Sequence, residues 1–240
     1  ADVCLTASTS RTGFQERLAI SARSTEELAE RLNGFARGEE PAGTSSGNTR
    51  SAGLVFLFTG QGAQYPGMSR ALYGSEPLFR DALERCDSLS RPHLERSLLS
   101  VLFGLDPEAE LVNETEYTQI CLFAVEYSLF CLWRSWGVEP EVVMGHSVGE
   151  LVPLCVAVAL EREDALKLVA WRGRLMQSLP RDGGMAAVFA SEEAVLERLR
   201  PFGERLSIAA VNAPGSVVVS GEQSALRAFF PESAMETLGA

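Results

Sequence analysis

Long apolar runs are missing from this sequence. None reaches the 18 or so residues that a membrane-spanning helix needs, which excludes one. Basic residues are in the minority: 21 Lys and Arg stand against 32 Asp and Glu, a net charge of −11. That balance opposes nucleic acid or an anionic membrane as partner. Cysteine is sparse and unpaired in pattern. Cys4, Cys86, Cys121, Cys131 and Cys155 are odd in number and form no C-x-x-C. This excludes a disulfide framework and a zinc site, and points to free thiols in a reducing, cytoplasmic compartment. Histidine occurs only as His93 and His146. His93 lies in a polar helical stretch and reads as a surface residue. There is neither an initiator Met nor a basic-then-apolar leader, so the chain is expected to be part of a longer polypeptide.

What is present is ordinary globular composition, 46% apolar and 22% charged over 240 residues, enough for one large domain or two unequal ones. Its centre is EVVMGHSVGE, residues 141–150. Val142–Met144 reads as a short apolar strand, Gly145–Gly149 as an abrupt turn, and the following residues as a helix carrying on to about Ala159. A G-x-S-x-G turn lifts a serine hydroxyl to a strand-to-helix corner, and its glycines permit close backbone approach. Ser147 is therefore the candidate nucleophile. The Val148 N–H, at the helix start, is a candidate donor to a developing oxyanion. Pro153 should bend or loosen this helix.

Upstream, residues 17–22 read as a strand and Ser24-Thr-Glu-Glu as a capping-box start to a helix ending near Ala36. Residues 38–52 are Gly-, Ser-, Thr- and Pro-rich, without periodicity, and read as a linker. Leu54–Phe58 is an apolar strand of the buried kind, leading into TGQGAQYPGM. Here Gly60 and Gly62 would let the backbone approach a reacting group, with the Gln61 N–H aimed at it. A phosphate cradle at 59–68 is the alternative, but no GK[ST] follows. Residues 69–103 read as amphipathic helix, 115–137 as a central helix apolar on most faces, and 162–179 as a third. Within the central helix, Glu126 reads as a surface tip or a paired acid. On its own helix, Arg172 reads as a C-terminal cation answering the macrodipole. From residue 185 the order becomes β-α-β-β-α, ferredoxin-like without its last strand.

GQGAQ (60–64), ETEYTQICLFAVEYSL (114–129), GHSVGE (145–150), WRGRLMQ (171–177), GGMAAV (183–188) and AAVNAPGSVVVSG (209–221) occur in order. Together they resemble the acyltransferase domain of modular type I polyketide synthases, a relative of malonyl-CoA:acyl-carrier-protein transacylases. The resemblance implies an α/β fold: a hydrolase-like large subdomain (53–182), an incomplete ferredoxin-like small subdomain (183–240), and ketosynthase–acyltransferase linker before them (1–52). It implies that Ser147 forms an acyl ester from acyl-CoA and passes it to the phosphopantetheine thiol of an acyl carrier protein. No metal or redox cofactor is involved. The partners would be that carrier protein and the adjoining ketosynthase. Gln61 and Val148 would form the oxyanion hole. Arg172 would clamp the extender's carboxylate, Gln119 would line the pocket, and His146 would be a motif residue but not the base. Val148 and the ETEYTQ run match the malonyl-selecting pattern. The family's histidine base is expected near position 250, past Ala240. For these 240 residues taken alone, that favours a silent scaffold or carrier-binding piece. A serine esterase or thioesterase is the other competing reading.

Overall fold

The computed structural model describes residues 2–10, 12–48, 53–105 and 109–230 and has an α/β fold. The chain divides into two units, residues 1–56 with 139–143, and residues 57–138 with 144–240.

In the first unit, helix α1 (Asp2–Ser10) is exposed along its length. Strand β1 (Glu16–Ile20) precedes helix α2 (Thr25–Ala36). The cap forms as its sequence predicts: Ser24 Oγ accepts the Glu27 N–H at 3.2 Å, and the Glu27 carboxylate reaches back to the Arg23 N–H at 2.6 Å. The expected linker 38–52 is corrected, because Thr44–Asn48 is strand β2, antiparallel to β1 with Ile20 opposite Thr44. Its Thr-Ser-Ser-Gly-Asn sequence has no apolar alternation to betray it, since main-chain pairing alone builds it. Residues 49–52 lie outside the described residues.

Strand β3 (Val55–Phe58) pairs with β4 (Val142–Gly145). The expected two-sided burial of β3 is not met: Leu57 is 71% exposed, and only Phe58 is buried. The stretch 69–103, expected to be helical and amphipathic, is helical in pieces. It breaks into α3 (Arg70–Ser75), α4 (Pro77–Ser90), a 3₁₀ turn Arg91–His93, and α5 (Leu98–Leu102). Pro77 and Pro92 cause two of the breaks, since each lacks the N–H that would continue a preceding helix. Buried Asp87 stitches the pieces together, accepting from Ser97 Oγ at 2.7 Å and from the Leu99 N–H at 3.3 Å.

Helix α6 (Thr115–Ser135) is the centre of the second unit, burying residues on most of its faces, with Ile120, Phe123 and Ala124 at 1% exposure or less. It packs on α4 and on α8 (Arg162–Gln177). The α6–α8 approach is close at Gly173, where a methyl group would lie 3.0 Å from Glu116 Cα. Burial pushes the thiols of Cys86 and Cys121 up to about 12; both are free, small core side chains.

After Ser147 the helix is shorter than expected. A 3₁₀ turn over Ser147–Glu150 leads into α7 (Leu151–Val156). Pro153, expected to bend or loosen this helix, sits in the first turn of α7, just after the 3₁₀ turn gives way to it, where an N–H has no intrahelical acceptor within α7 to lose. α7 ends at Val156, and just past its cap Val158 has a left-handed φ of 57°, in a β-branched residue that is 83% exposed. Such a backbone costs a side-chain-bearing residue about 1–2 kcal/mol. Val158→Gly is therefore expected to raise unfolding free energy by up to about 1 kcal/mol after glycine's greater chain entropy is subtracted. Urea denaturation measures it, and a loss of stability would contradict the strain.

The last elements are β5 (Gly183–Val188), α9 (Glu192–Leu199), β6 (Leu206–Ala213), β7 (Ser216–Glu222) and α10 (Gln223–Phe229). The sheet order is β5-β7-β6, with both pairs antiparallel. Val217 and Val219 of the middle strand share one face, packing with Val195, Leu199, Leu226 and Phe229 of the two helices. Residues 231–240 lie outside the described residues.

Candidate active site

The turn between β4 and α7 is built on contacts that only glycine allows. A methyl group on Gly149 would lie 2.4 Å from the Thr59 carbonyl oxygen and 2.6 Å from that of Phe58. On Gly145 it would meet the Gly149 carbonyl group at 2.3 Å. Real Cβ atoms do not come this near backbone, so the turn folds flat against the end of β3 only with both glycines. The His146 N–H donates to the Phe58 carbonyl at 3.1 Å, adding a main-chain tie at the same place. Between the glycines Ser147 is left with φ of 54° and an exposed side chain. A non-glycine residue held there stores roughly 1–3 kcal/mol of strain, a pattern that clusters at reactive sites. The neighbouring Val148 side chain is 2% exposed and faces inward. Its N–H lies in the first turn, ahead of any intrahelical acceptor.

The loop after β3 comes up beside this turn. A methyl group on Gly60 would fall 2.9 Å from His146 Nδ1, 3.0 Å from the His146 carbonyl oxygen and 3.6 Å from Ser147 Cβ. Side chains stitch the loop to the start of α6. Gln61 Nε2 donates to Thr115 Oγ1 at 3.3 Å, and Gln64 Nε2 to Asn113 Oδ1 at 3.4 Å. The Gly62 N–H is taken by Gln64 Oε1 at 2.7 Å, so this donor is not free for a phosphate group.

Arg172 completes the arrangement. From α8 its guanidinium donates to Ser147 Oγ at 3.1 Å and, through its other nitrogen, to Gln119 Oε1 at 2.5 Å. Gln119 is fully buried on α6, and its Nε2 donates to Met176 Sδ at 3.2 Å. The reading of Arg172 as a macrodipole cation is corrected: the helix turns it into the site, held by a residue 53 positions away. Arg174 takes the ordinary structural part, bonding Glu116 at 3.2 Å and the His93 carbonyl at 2.7 Å. Among the described residues, Ser147 Oγ has no hydrogen bond to an imidazole. Ser147, Gln119 and Arg172 are brought into direct contact, and Gly60 sets the Gln61 loop beside them. His146 faces Gly60.

Two residues were not placed at the site by the sequence reading, although one of its two readings of Glu126, a paired acid, is met. Glu126 Oε1 accepts the Thr59 N–H at 2.7 Å and the Thr59 hydroxyl at 2.6 Å. The available signal was a lone acid inside the apolar run of α6. Thr115, partner of Gln61, entered only within the ETEYTQ run, with nothing in the sequence to mark it as that residue's partner.

The description "acyl transferase domain" matches residues 55–240, more than half of the chain, and "CurL-like, PKS C-terminal" matches residues 1–32. The chain belongs to the acyl transferase domain family. It is similar to the erythronolide synthase EryA2 of Saccharopolyspora erythraea, 46% identical over 239 residues, 98% of this chain and 7% of that protein. Among solved structures, this acyl transferase chain resembles the acyltransferase domain from module 8 of the salinomycin polyketide synthase. The TM-score is 0.86 at 36% identity, covering 95% of this chain and 54% of the other. It also resembles malonyl CoA-acyl carrier protein transacylase from Clostridium perfringens, with TM-score 0.64 at 32% identity over 74% of this chain and 56% of that one. The chain thus spans a small part of the curated relative and about half of each solved domain.

Proposed function

We propose that this acyl transferase chain moves a malonyl-type extender from coenzyme A to the phosphopantetheine thiol of an acyl carrier protein during polyketide synthesis. The observation that carries the reading is the Arg172 guanidinium, fixed on buried Gln119 and 3.1 Å from Ser147 Oγ. A serine raised on a strained turn suits acyl transfer in general. A planar cation at its side suits an acyl group that ends in a carboxylate.

Ser147 Oγ attacks the thioester carbonyl carbon, the C–S bond breaks, and coenzyme A leaves as the thiol. The serine proton passes through a general base to the leaving sulfur. In the second half the pantetheine sulfur attacks the ester and returns the proton to Ser147. The N–H groups of Gln61 and Val148 stabilise the oxyanion of both tetrahedral intermediates. The base comes from beyond the described residues or from solvent. In this reading residues 53–182 and 183–240 are the large and small subdomains, and residues 1–52 join them to a ketosynthase in the same cytoplasmic polypeptide. Val148 and ETEYTQ favour malonyl over methylmalonyl.

Intact-mass measurement after incubation with malonyl-CoA, methylmalonyl-CoA or acetyl-CoA tests this, with added imidazole as an external base. A malonyl adduct is expected, exceeding the methylmalonyl one, and Ser147→Ala abolishes it. An adduct that survives in Ser147→Ala, or none even with imidazole, would remove the transferase reading for this chain and leave a scaffold.

A further inference from the structure

Glu126 stands in the least favourable place for an acid on α6, with Val125 buried before it and Phe123 stacked on Tyr127 around it. Burial pushes its carboxyl up, only partly opposed by the bonds from Thr59. Among the described residues its buried Oε2 has no hydrogen-bond partner. An unpaired buried oxygen costs about 1–3 kcal/mol, so stability alone does not account for the residue.

What Glu126 holds is Thr59, by both the main-chain N–H and the hydroxyl. Thr59 is the pivot of the site. Its carbonyl is one of the two that Gly149 abuts, and the next residue, Gly60, lies against His146 and Ser147. Strand β3 ends at Phe58, so past it the sheet no longer aligns the loop. The turn at Gly149 presses on Thr59, Glu126 holds it, and the Gln61 side chain is tied to Thr115. Among the described residues it is the Glu126 carboxylate that fixes the Thr59 N–H, and without it the segment 60–62 is free to pivot away from the serine.

We infer that Glu126 is a positioning residue that sets the Gln61 N–H against Ser147 by clamping Thr59. The inference rests on the proposed acyl transfer for its kinetic consequence, but its structural half stands independently. The step it serves is the collapse of charge onto the carbonyl oxygen, where one well-placed donor is worth about 10²–10³ in rate. A displaced donor forfeits part of that. The site should still bind substrate, because Arg172 and Gln119 are untouched.

The test compares Glu126→Ala, Glu126→Gln and Thr59→Val in the intact chain. In Glu126→Ala the first-order rate of acyl-serine formation at saturating malonyl-CoA is expected to fall about 10–100-fold, while the half-saturating concentration changes little. Glu126→Gln keeps a carbonyl oxygen for both donors and recovers most of the rate. Thr59→Val, which keeps the N–H, falls between. Amide hydrogen exchange over residues 60–62 without substrate is expected to quicken in Glu126→Ala and not in Glu126→Gln. An unchanged rate, a loss confined to half-saturation, or a glutamine variant as slow as alanine would overturn the inference. So would unchanged exchange in a folded Glu126→Ala chain, and that arm decides the matter even if the parent forms no adduct. A parent without adduct counts against the transfer reading instead.

Discussion

Arg172→Ala is expected to slow malonylation of Ser147 by about 10²–10³, while acetylation from acetyl-CoA holds steady or rises. A hydrogen bond to a charged group contributes about 1.5–3 kcal/mol. The paired prongs of a guanidinium on a carboxylate thus give about 3–6 kcal/mol, and the lower part of that range, about 3–4 kcal/mol, corresponds to the stated loss at about 1.4 kcal/mol per tenfold. Acetyl has no carboxylate and forfeits nothing. Arg172→Lys should recover only a small part, since an ammonium lacks the fork and cannot hold Gln119 and a substrate oxygen in one plane. The alanine variant also leaves Gln119 Oε1 without its partner on a fully buried side chain, and about 1–3 kcal/mol of stability should go with it. The ratio of malonyl to acetyl rates, measured on one preparation by intact mass, cancels that loss. Equal loss with both substrates would show that Arg172 merely supports the fold.

Gly149→Ala is expected to do more damage to the fold than any other change at the site, by about 3 kcal/mol or more. Its added methyl would sit 2.4 and 2.6 Å from two carbonyl oxygens. Both belong to backbone at the end of β3, so neither can rotate aside as a side chain would. Relief requires separating the serine turn from β3, which also takes Ser147 from Gly60 and the Gln61 loop. Gly74→Ala is the control. A methyl there meets nothing within 4 Å among the described residues, and in α3 the better helix propensity of alanine should gain several tenths of a kcal/mol. Urea denaturation of the pair should move in opposite directions. A Gly149→Ala chain as stable as the parent would mean that the β3–turn contact is not held in solution.

How much of this was legible beforehand depended on how local each cause was. The Ser147 turn could be read because strand, glycine spacing and helix start are contiguous in sequence. The capping box before α2 and the β-α-β-β-α order after residue 183 were local in the same way. Arg172 was not legible from α8: its side-chain periodicity says nothing of Gln119, which α6 brings beneath it through the close approach at Gly173. Family resemblance reached it where helix reasoning did not. Glu126 was visible as an anomaly but ambiguous, since its partner Thr59 lies 67 residues earlier. Strand β2 left no trace because a polar strand is specified by its main chain, and α7 ended early, just ahead of a left-handed valine that propensity does not anticipate.

The bond from Arg172 to Ser147 Oγ has a kinetic consequence. In the resting chain the Ser147 oxygen accepts a bond from a cation, so under the proposed transfer its lone pair would be less available to water and to stray thioesters. A substrate with its own carboxylate would draw the guanidinium onto itself and free the oxygen as it docks. On that reading the same side chain would be a safety catch and the means of releasing it, and an acyl group too simple to pull the catch would meet a serine still locked.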